Sequence, residues 1–180
     1  MSKDIYYNEI LDTWVDENED CITTNRRYKE LSKVMDPMYD FVLAYSNYYN
    51  TRRDYGFGPK LTMIEVHILT EISDKPGITV TELAFKWNRT TSAISQTVRK
   101  LMKQELVYRE NSKINGKIFH LYVTEIGKKL VFSHKKYDNI DIVKTKKKLM
   151  ESFSIEELDA FDRICKVYTE ILKNKIIEEE

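Results

Sequence analysis

The chain has 180 residues, 42% hydrophobic and 32% charged, enough for one domain with a substantial core. No stretch approaches the roughly eighteen apolar residues of a membrane span, and the acidic start MSKDIYYNEILDTW is not a signal peptide, so a cytoplasmic protein is expected. Cys21 and Cys165, far apart in sequence, make neither a metal cluster nor a disulfide framework.

The zero net charge conceals an uneven distribution. Residues 1–20 hold seven acids against Lys3, and residues 151–180 hold nine acids against four bases. Between them, residues 86–117 and 128–148 each carry eight lysines and arginines against two acids. A basic middle of this kind suits a nucleic-acid surface.

Residues 1–24 alternate poorly; Tyr6, Ile10, Leu11 and Trp14 suit either one short helix packed on the body or a tail. Residues 26–50 read as a long helix with Val34, Met38, Phe41, Val42 and Tyr45 on one apolar stripe. YGFGPK breaks it, because Gly56, Gly58 and Pro59 are poor helix-interior residues. Thr62 with Glu65 forms a capping-box pattern for the next helix, whose buried side is Leu61, Ile64, Ile68, Leu69 and Ile72. After the turn SDKPG, Thr79 and Glu82 repeat the capping box, opening a short helix that is expected to bury Leu83 and Trp87. Asn88 sits where that helix stops, and asparagine tolerates the left-handed conformation such stops use.

Thr90 is placed to cap the following segment, RTTSAISQTVRKL. Its apolar residues Ile94, Val98 and Leu101 make one stripe, leaving Thr91, Ser92, Ser95, Gln96 and Arg99 on the other faces. The period then changes. LVYRE and IFHLYVT are β-prone runs around NSKINGK, whose Asn115-Gly116 pair signals a hairpin. Thr124 is placed to cap a helix running from Glu125 towards Lys147. Ser154 with Glu157 opens the last helix, which keeps Leu158, Phe161, Ile164, Tyr168, Ile171 and Leu172 on one broad face.

Two short helices joined by a tight turn and followed by a basic hairpin form a winged helix-turn-helix. The fold class is therefore mainly α with a small β-wing, flanked by long N- and C-terminal helices. A helix entering the major groove by its N-terminus presents hydroxyls, glutamine and arginine to base edges and phosphates. Thr91, Ser92, Ser95, Gln96 and Arg99 are the candidates for that role. Lys113, Asn115 and Lys117 are the wing candidates, reaching the minor groove or its phosphates. Arg52, Arg53, Lys60, Arg89, Lys103 and Arg109 are phosphate candidates, with Lys86 and Lys100 on the flanks. A merely solvated helix face is the rival reading of the same side chains.

Residues 61–130, from LTMIEVHILTEISDKPGITVTELAFKWNRTTSAISQTVRKLMKQELVYRE to LYVTEIGKKL, resemble the MarR family of winged-helix regulators. The resemblance implies an obligate homodimer held by the first and last helices, about 26–50 and 155–176. It also implies repression or activation of nearby genes, often relieved by a small aromatic or phenolic ligand, by oxidation or by metal. Two departures stand out. The family's Asp-x-Arg wing pair is absent from ENSKINGKIFH, which passes the tip contact to Lys113 or Lys117. The usual glycine after the recognition helix is Glu105, so that turn must be made another way.

The resulting organisation is an acidic extension at 1–24 and a dimerisation helix at 25–55. The DNA-binding domain follows at 61–123, with C-terminal helices at 124–176. Tyr39, Phe41, Tyr45, Tyr48, Tyr49 and Tyr55 suit an effector pocket for a small aromatic ligand, although aromatics on a long helix more often form core. His67, His120 and His134 are scattered over a helix, a strand and another helix, so a structural or surface role is expected and no metal or cofactor. Cys165 is expected to pack in the dimer seam and Cys21 to be exposed. No phosphate-binding glycine loop, metal-ligand spacing or nucleophile–base pair marks an enzyme. The expected function is sequence-specific regulation of transcription on double-stranded DNA, as a homodimer on a pseudo-palindromic operator. The competing reading is a protein-interaction module that has given up DNA.

Overall fold

The computed structural model describes residues 18–111 and 118–179. In chain order its elements are α1 Cys21–Asn50, α2 Met63–Asp74, α3 Val80–Lys86, α4 Thr91–Lys103, β1 Val107–Asn111, β2 Phe119–Val123, α5 Glu125–Leu149 and α6 Ile155–Glu179. The chain divides into two units, one holding α1 and residues 62–64, the other residues 53–61 and 65–180. No helix among the described residues is long and apolar enough to cross a membrane.

In the first unit, α1 begins at Cys21 rather than at residue 26. The reason is local: the Asp20 carboxylate accepts hydrogen bonds from the Ile22 and Thr23 amides, so the cap lies upstream of the apolar stripe. Pro37 lies inside the helix, and none of the thirty residues is buried. Residues 1–17, which include Tyr6, Ile10, Leu11 and Trp14, fall outside the described residues.

The core belongs to the second unit. Leu61, Val66, Ile68, Leu69 and Ile72 are fully buried, together with Leu83, Ile94, Leu101, Leu106 and Leu130 from the surrounding elements. Ile64 is half-buried. Trp87, expected inside, is also half-buried because it caps α3 instead of lying within it; Ala84 takes the buried place beside Leu83. The capping box is complete: Thr79 Oγ1 accepts from the Glu82 amide (3.2 Å), and Glu82 accepts from the Thr79 amide (2.8 Å).

Two helix ends fix how α3, α4 and β1 follow one another. At Asn88 (φ 46°) the Arg89 amide reaches back to Ala84 O and the Asn88 amide to Phe85 O. At Glu105 (φ 59°) the Leu106 amide reaches Leu101 O and the Glu105 amide reaches Met102 O. Both are Schellman closures. Glu105 therefore adopts the left-handed backbone that a glycine would take at no steric cost.

The antiparallel strands pair Val107 with Val123 and Asn111 with Phe119. Gly77 N donates to Leu121 O (2.8 Å) and Leu121 N to Ile78 O (3.1 Å), so β2 also bonds the turn after α2. His120 Nδ1 lies 2.7 Å from Gly77 O, a structural use of that histidine. Thr124 caps α5 by accepting from the Gly127 amide (3.0 Å). Gly127 packs so close to β1 that an added methyl would overlap the Leu106 carbonyl oxygen.

Because Glu105 carries left-handed strain of about 1–2 kcal/mol, Glu105→Gly is expected to stabilise the protein by about 1 kcal/mol, net of the flexibility glycine adds to the unfolded chain. Urea unfolding of the two proteins, compared at their midpoints, measures it.

Candidate nucleic-acid interface and a buried histidine cluster

Helix α4 forms as its spacing dictates, with Ile94, Val98 and Leu101 buried and Thr90 accepting from the Ala93 amide at its head (3.2 Å). Thr91, Ser92, Gln96 and Arg99 are exposed and Ser95 is half-buried. Ser95 and Arg99 share a groove with Thr79 and Thr81 at the head of α3 and with Arg109 and Phe119 of the hairpin, about 510 Å³ in volume. Arg109 stacks on the Phe119 ring, 4.2 Å from its centroid, which holds its cation beside α4 rather than at the hairpin tip. The wing candidates Lys113, Asn115 and Lys117 lie outside the described residues.

The cations are not equivalent. Lys86 is bound by Glu71 (2.7 Å) across α3 and α2, and Lys100 lies 3.8 Å from the buried Glu65. Arg89, Arg99 and Lys103 make no ion pair with any described residue. Arg53 pairs its backbone with Leu61 and its side chain with the Tyr55 phenol, so it is partly occupied within the fold. Lys60 is exposed in the second unit and Arg52 in the first.

The five tyrosines expected in an effector pocket are divided. Tyr39, Tyr45, Tyr48 and Tyr49 belong to α1, the first three exposed. Tyr55 belongs to the second unit, 4% exposed, edge-on to His134 (5.1 Å) and to Tyr137 (5.2 Å). Burial raises its phenol above the ordinary tyrosine value. Cys21 is exposed as expected; Cys165 is exposed as well.

The histidines require a correction. His67 and His134 are not scattered: α2 and α5 bring their rings edge-on at 4.8 Å, and Asp138 joins them one turn along α5. His134 Nε2 lies 2.9 Å from Asp138 Oδ2, and His67 Nε2 lies 3.8 Å from the same oxygen. All three candidate donor atoms lie within 4.8 Å of one another. The expectation of no metal-ligand cluster overlooked that His134 and Asp138, four apart, share one helix face. It had no means of seeing His67 arrive from another helix.

Hydrogen-bond accounting shows what this cluster needs. Thr70 Oγ1 donates its one proton to the Val66 carbonyl (2.9 Å), so towards His134 Nδ1 (3.1 Å) it acts as acceptor. Nδ1 therefore carries the ring proton when His134 is neutral. Burial pushes the His134 imidazole below the ordinary histidine value; Asp138 opposes that shift and His67 adds to it. The neutral ring then leaves an unprotonated Nε2 2.9 Å from a carboxylate oxygen. That nitrogen is buried and makes no hydrogen bond to a described residue. A cation between them removes the repulsion, and two imidazoles with one carboxylate, one imidazole held by Thr70 at its far nitrogen, suit zinc or a similar divalent ion. The side chains of His67 and Asp138 are about one-third exposed, which leaves one side open for a water ligand.

Residues 61–119 match the MarR family. The winged helix belongs to the MarR family. The HTH-type transcriptional regulator YhjH of Bacillus subtilis (strain 168) is 34% identical over 84 residues, 47% of this chain. That match spans about half of YhjH (48%). The transcriptional regulator AdcR of Streptococcus pyogenes serotype M6 is 25% identical over 114 residues, 63% of this chain and 76% of AdcR. These relatives are transcriptional regulators, not enzymes. The zinc-responsive MarR family member ZitR of Lactococcus lactis shares the fold, with a TM-score of 0.61, 19% identity, and 79% of this chain and 99% of that one covered. Its complex with DNA superposes with a TM-score of 0.60.

The α3 cap that presents α4 is sensitive to acid. The Lys75 ammonium, then the Thr79 amide and hydroxyl, hold the Glu82 carboxyl at about 2. A carboxylate lowered by folding contributes its full stability above the unfolded value of 4.5 and loses it as pH falls towards about 2. Glu82 is half exposed, so screening limits the effect to about 1 kcal/mol or less. Glu82→Gln is expected to lower stability at neutral pH and to flatten its fall across that window, read from urea midpoints at a series of pH values.

Proposed function

We propose that this MarR-family protein is a homodimeric transcriptional regulator, most simply a repressor, that binds a pseudo-palindromic operator in cytoplasmic double-stranded DNA. The carrying observation is α4: one sealed apolar stripe, with Thr91, Ser92, Gln96 and Arg99 held outward on a capped helix. In this reading Gln96 and Arg99 contact base edges and Ser92 and Ser95 the adjoining phosphates. Arg89, Lys103 and Arg109 anchor the backbone on either side. The DNA-binding domain is residues 61–123, and in this reading the wing residues Lys113, Asn115 and Lys117 extend its reach into the minor groove.

Support for the dimer is the surface that the chain leaves uncovered. No described side chain of α6 is buried, and Phe161, Ile164, Val167, Ile171 and Leu172 stay exposed on a capped helix. Apolar faces of this extent call for a partner, and a second copy satisfies them by two-fold symmetry. Residues 25–55 and 124–176 form the dimerisation region in this reading, with 1–24 as an acidic extension.

The ligand that modulates DNA binding is a divalent metal ion, held by His67, His134 and Asp138; ZitR, which shares the fold, is zinc-responsive. When bound, the ion supplies the positive charge that the two nitrogens and the carboxylate share. The chain's own contribution is to fix the donors: Thr70 sets the His134 tautomer, and Tyr55, itself backed by Tyr137, packs edge-on against the His134 ring. An aromatic effector has less support, since Tyr39, Tyr45 and Tyr48 are exposed on α1 and Tyr55 is packed against His134.

Gln96→Ala and Arg99→Ala are each expected to weaken binding to the selected operator by about 10- to 100-fold, the worth of one base contact, with circular dichroism and unfolding unchanged. Genomic fragments selected by the purified protein supply that operator. Its binding must fall steeply with salt, because phosphate contacts release counterions; salt-insensitive, sequence-independent binding would reject the regulator in favour of an interaction module.

Zinc is expected to bind at one ion per chain and to change operator affinity by about 5- to 150-fold, the usual range of a coupling between sites. His134→Ala abolishes both effects. Isothermal calorimetry and fluorescence anisotropy, with and without chelator, provide the two readings. Zinc uptake weakens as pH drops through the histidine range, since the proton and the metal compete for the same nitrogens.

A further inference from the structure

We infer that Trp87 is the positioning residue through which occupancy of the His67–His134–Asp138 cluster reaches the recognition helix α4. The inference rests on the metal reading above and names the path of its regulation. The His67 ring stands between two neighbours: His134, edge-on at 4.8 Å, and Trp87, tilted 58° at 6.2 Å. Through that indole the cluster meets the end of α3.

The cluster must contract to hold an ion. Its donors spread over as much as 4.8 Å, whereas zinc–ligand bonds of about 2.0–2.1 Å place tetrahedral donors roughly 3.3 Å apart. His134 is nearly fully buried and tied to Thr70, so it is fixed. His67 is one-third exposed and lies 3.8 Å from the Asp138 oxygen, so the movement falls to its ring. Any such movement alters the contact with the indole.

Trp87 occupies a sensitive position. Its amide closes α3 onto the Leu83 carbonyl (2.9 Å). Left-handed Asn88 follows immediately, and Thr90 caps α4 two residues later. The indole Nε1 is buried but makes no hydrogen bond to a described residue, so packing alone holds the ring. The indole can follow its neighbour without breaking a directional bond. Elsewhere α2 is joined to α3 by Glu71–Lys86 and to α4 by Glu65–Lys100, which confines the adjustment to the turn.

The test uses the full chain carrying Trp14→Phe, so that Trp87 is the sole tryptophan of the original two. Zinc is titrated while tryptophan emission, calorimetric uptake and anisotropy of the selected operator are followed. Emission is expected to change saturably at one zinc per chain, and His67→Ala removes that change. Trp87→Leu is expected to bind zinc with near-parental affinity while its operator affinity responds less than about twofold, against about tenfold in the parent. Trp87→Phe recovers part of the response. Zinc uptake with unmoved emission and a full response in Trp87→Leu overturns the role of Trp87 and leaves the metal reading standing. Absence of zinc uptake by the parent removes that reading and this inference together. Should Trp87→Leu fail to fold, the emission titration of the parent decides alone.

Discussion

Helix α2 has twelve residues, of which Glu65, Val66, Ile68, Leu69 and Ile72 are buried. Those positions do not fall on one narrow stripe, so the helix is covered on more than one side. The polar residues of the helix are thereby pressed against other elements: the buried Glu65 near Lys100 of α4, Glu71 against Lys86 of α3, and Asp74 against Lys135 of α5. His67 and Thr70 meet His134, and His67 also meets Trp87. Covering a short helix this completely turns it into the hub that sets α3, α4 and α5 around it. The exposed ion pairs add little stability individually; burial fixes the arrangement and the pairs give it register.

The same arrangement sorts the basic residues by use. Lysines reached by α2 or by their own helix are neutralised within the fold, as Lys86, Lys135 and Lys128 show. Arg89, Arg99 and Lys103, by contrast, have no ionic partner among the described residues. A net charge of zero is therefore a poor guide to the interface, because acids and bases cancel in the total without cancelling on the α4 face. Arg109, stacked on Phe119, joins that face from the hairpin. In the proposed reading its guanidinium supplies, from the strand, part of the reach that an arginine at the wing would give.

What the sequence made legible was whatever folding decides locally. The Thr79–Glu82 and Ser154–Glu157 capping boxes, the Thr90 and Thr124 caps and the left-handed stop at Asn88 each depend on residues within a few positions of one another. Glu105 was legible only as a missing glycine; the backbone keeps its left-handed turn despite the side chain. The helical stripes on α1 and α6 were readable as patterns, but burial was not, because the surface that would cover them is not supplied within the unit that carries each. The histidine cluster was illegible for a different reason. His67 and His134 are 67 positions apart, and only the packing of α2 on α5 makes them neighbours.

A buried cluster of this kind runs against the rule that core polar groups satisfy one another. Thr70 spends its proton on Val66, His134 spends its own on Thr70, and nothing remains to place between Nε2 and the Asp138 carboxylate. In a low-dielectric site that mismatch is costly, and Val or Leu at His134 would remove it while filling similar space. In the proposed reading the chain has two conformations, one eased by a cation and one not. An ion that binds the first more strongly shifts the balance by its differential affinity and no more. Because α2 carries His67 as well as the contacts to α3 and α4, the free energy of the proposed ion would reach the elements that set α4.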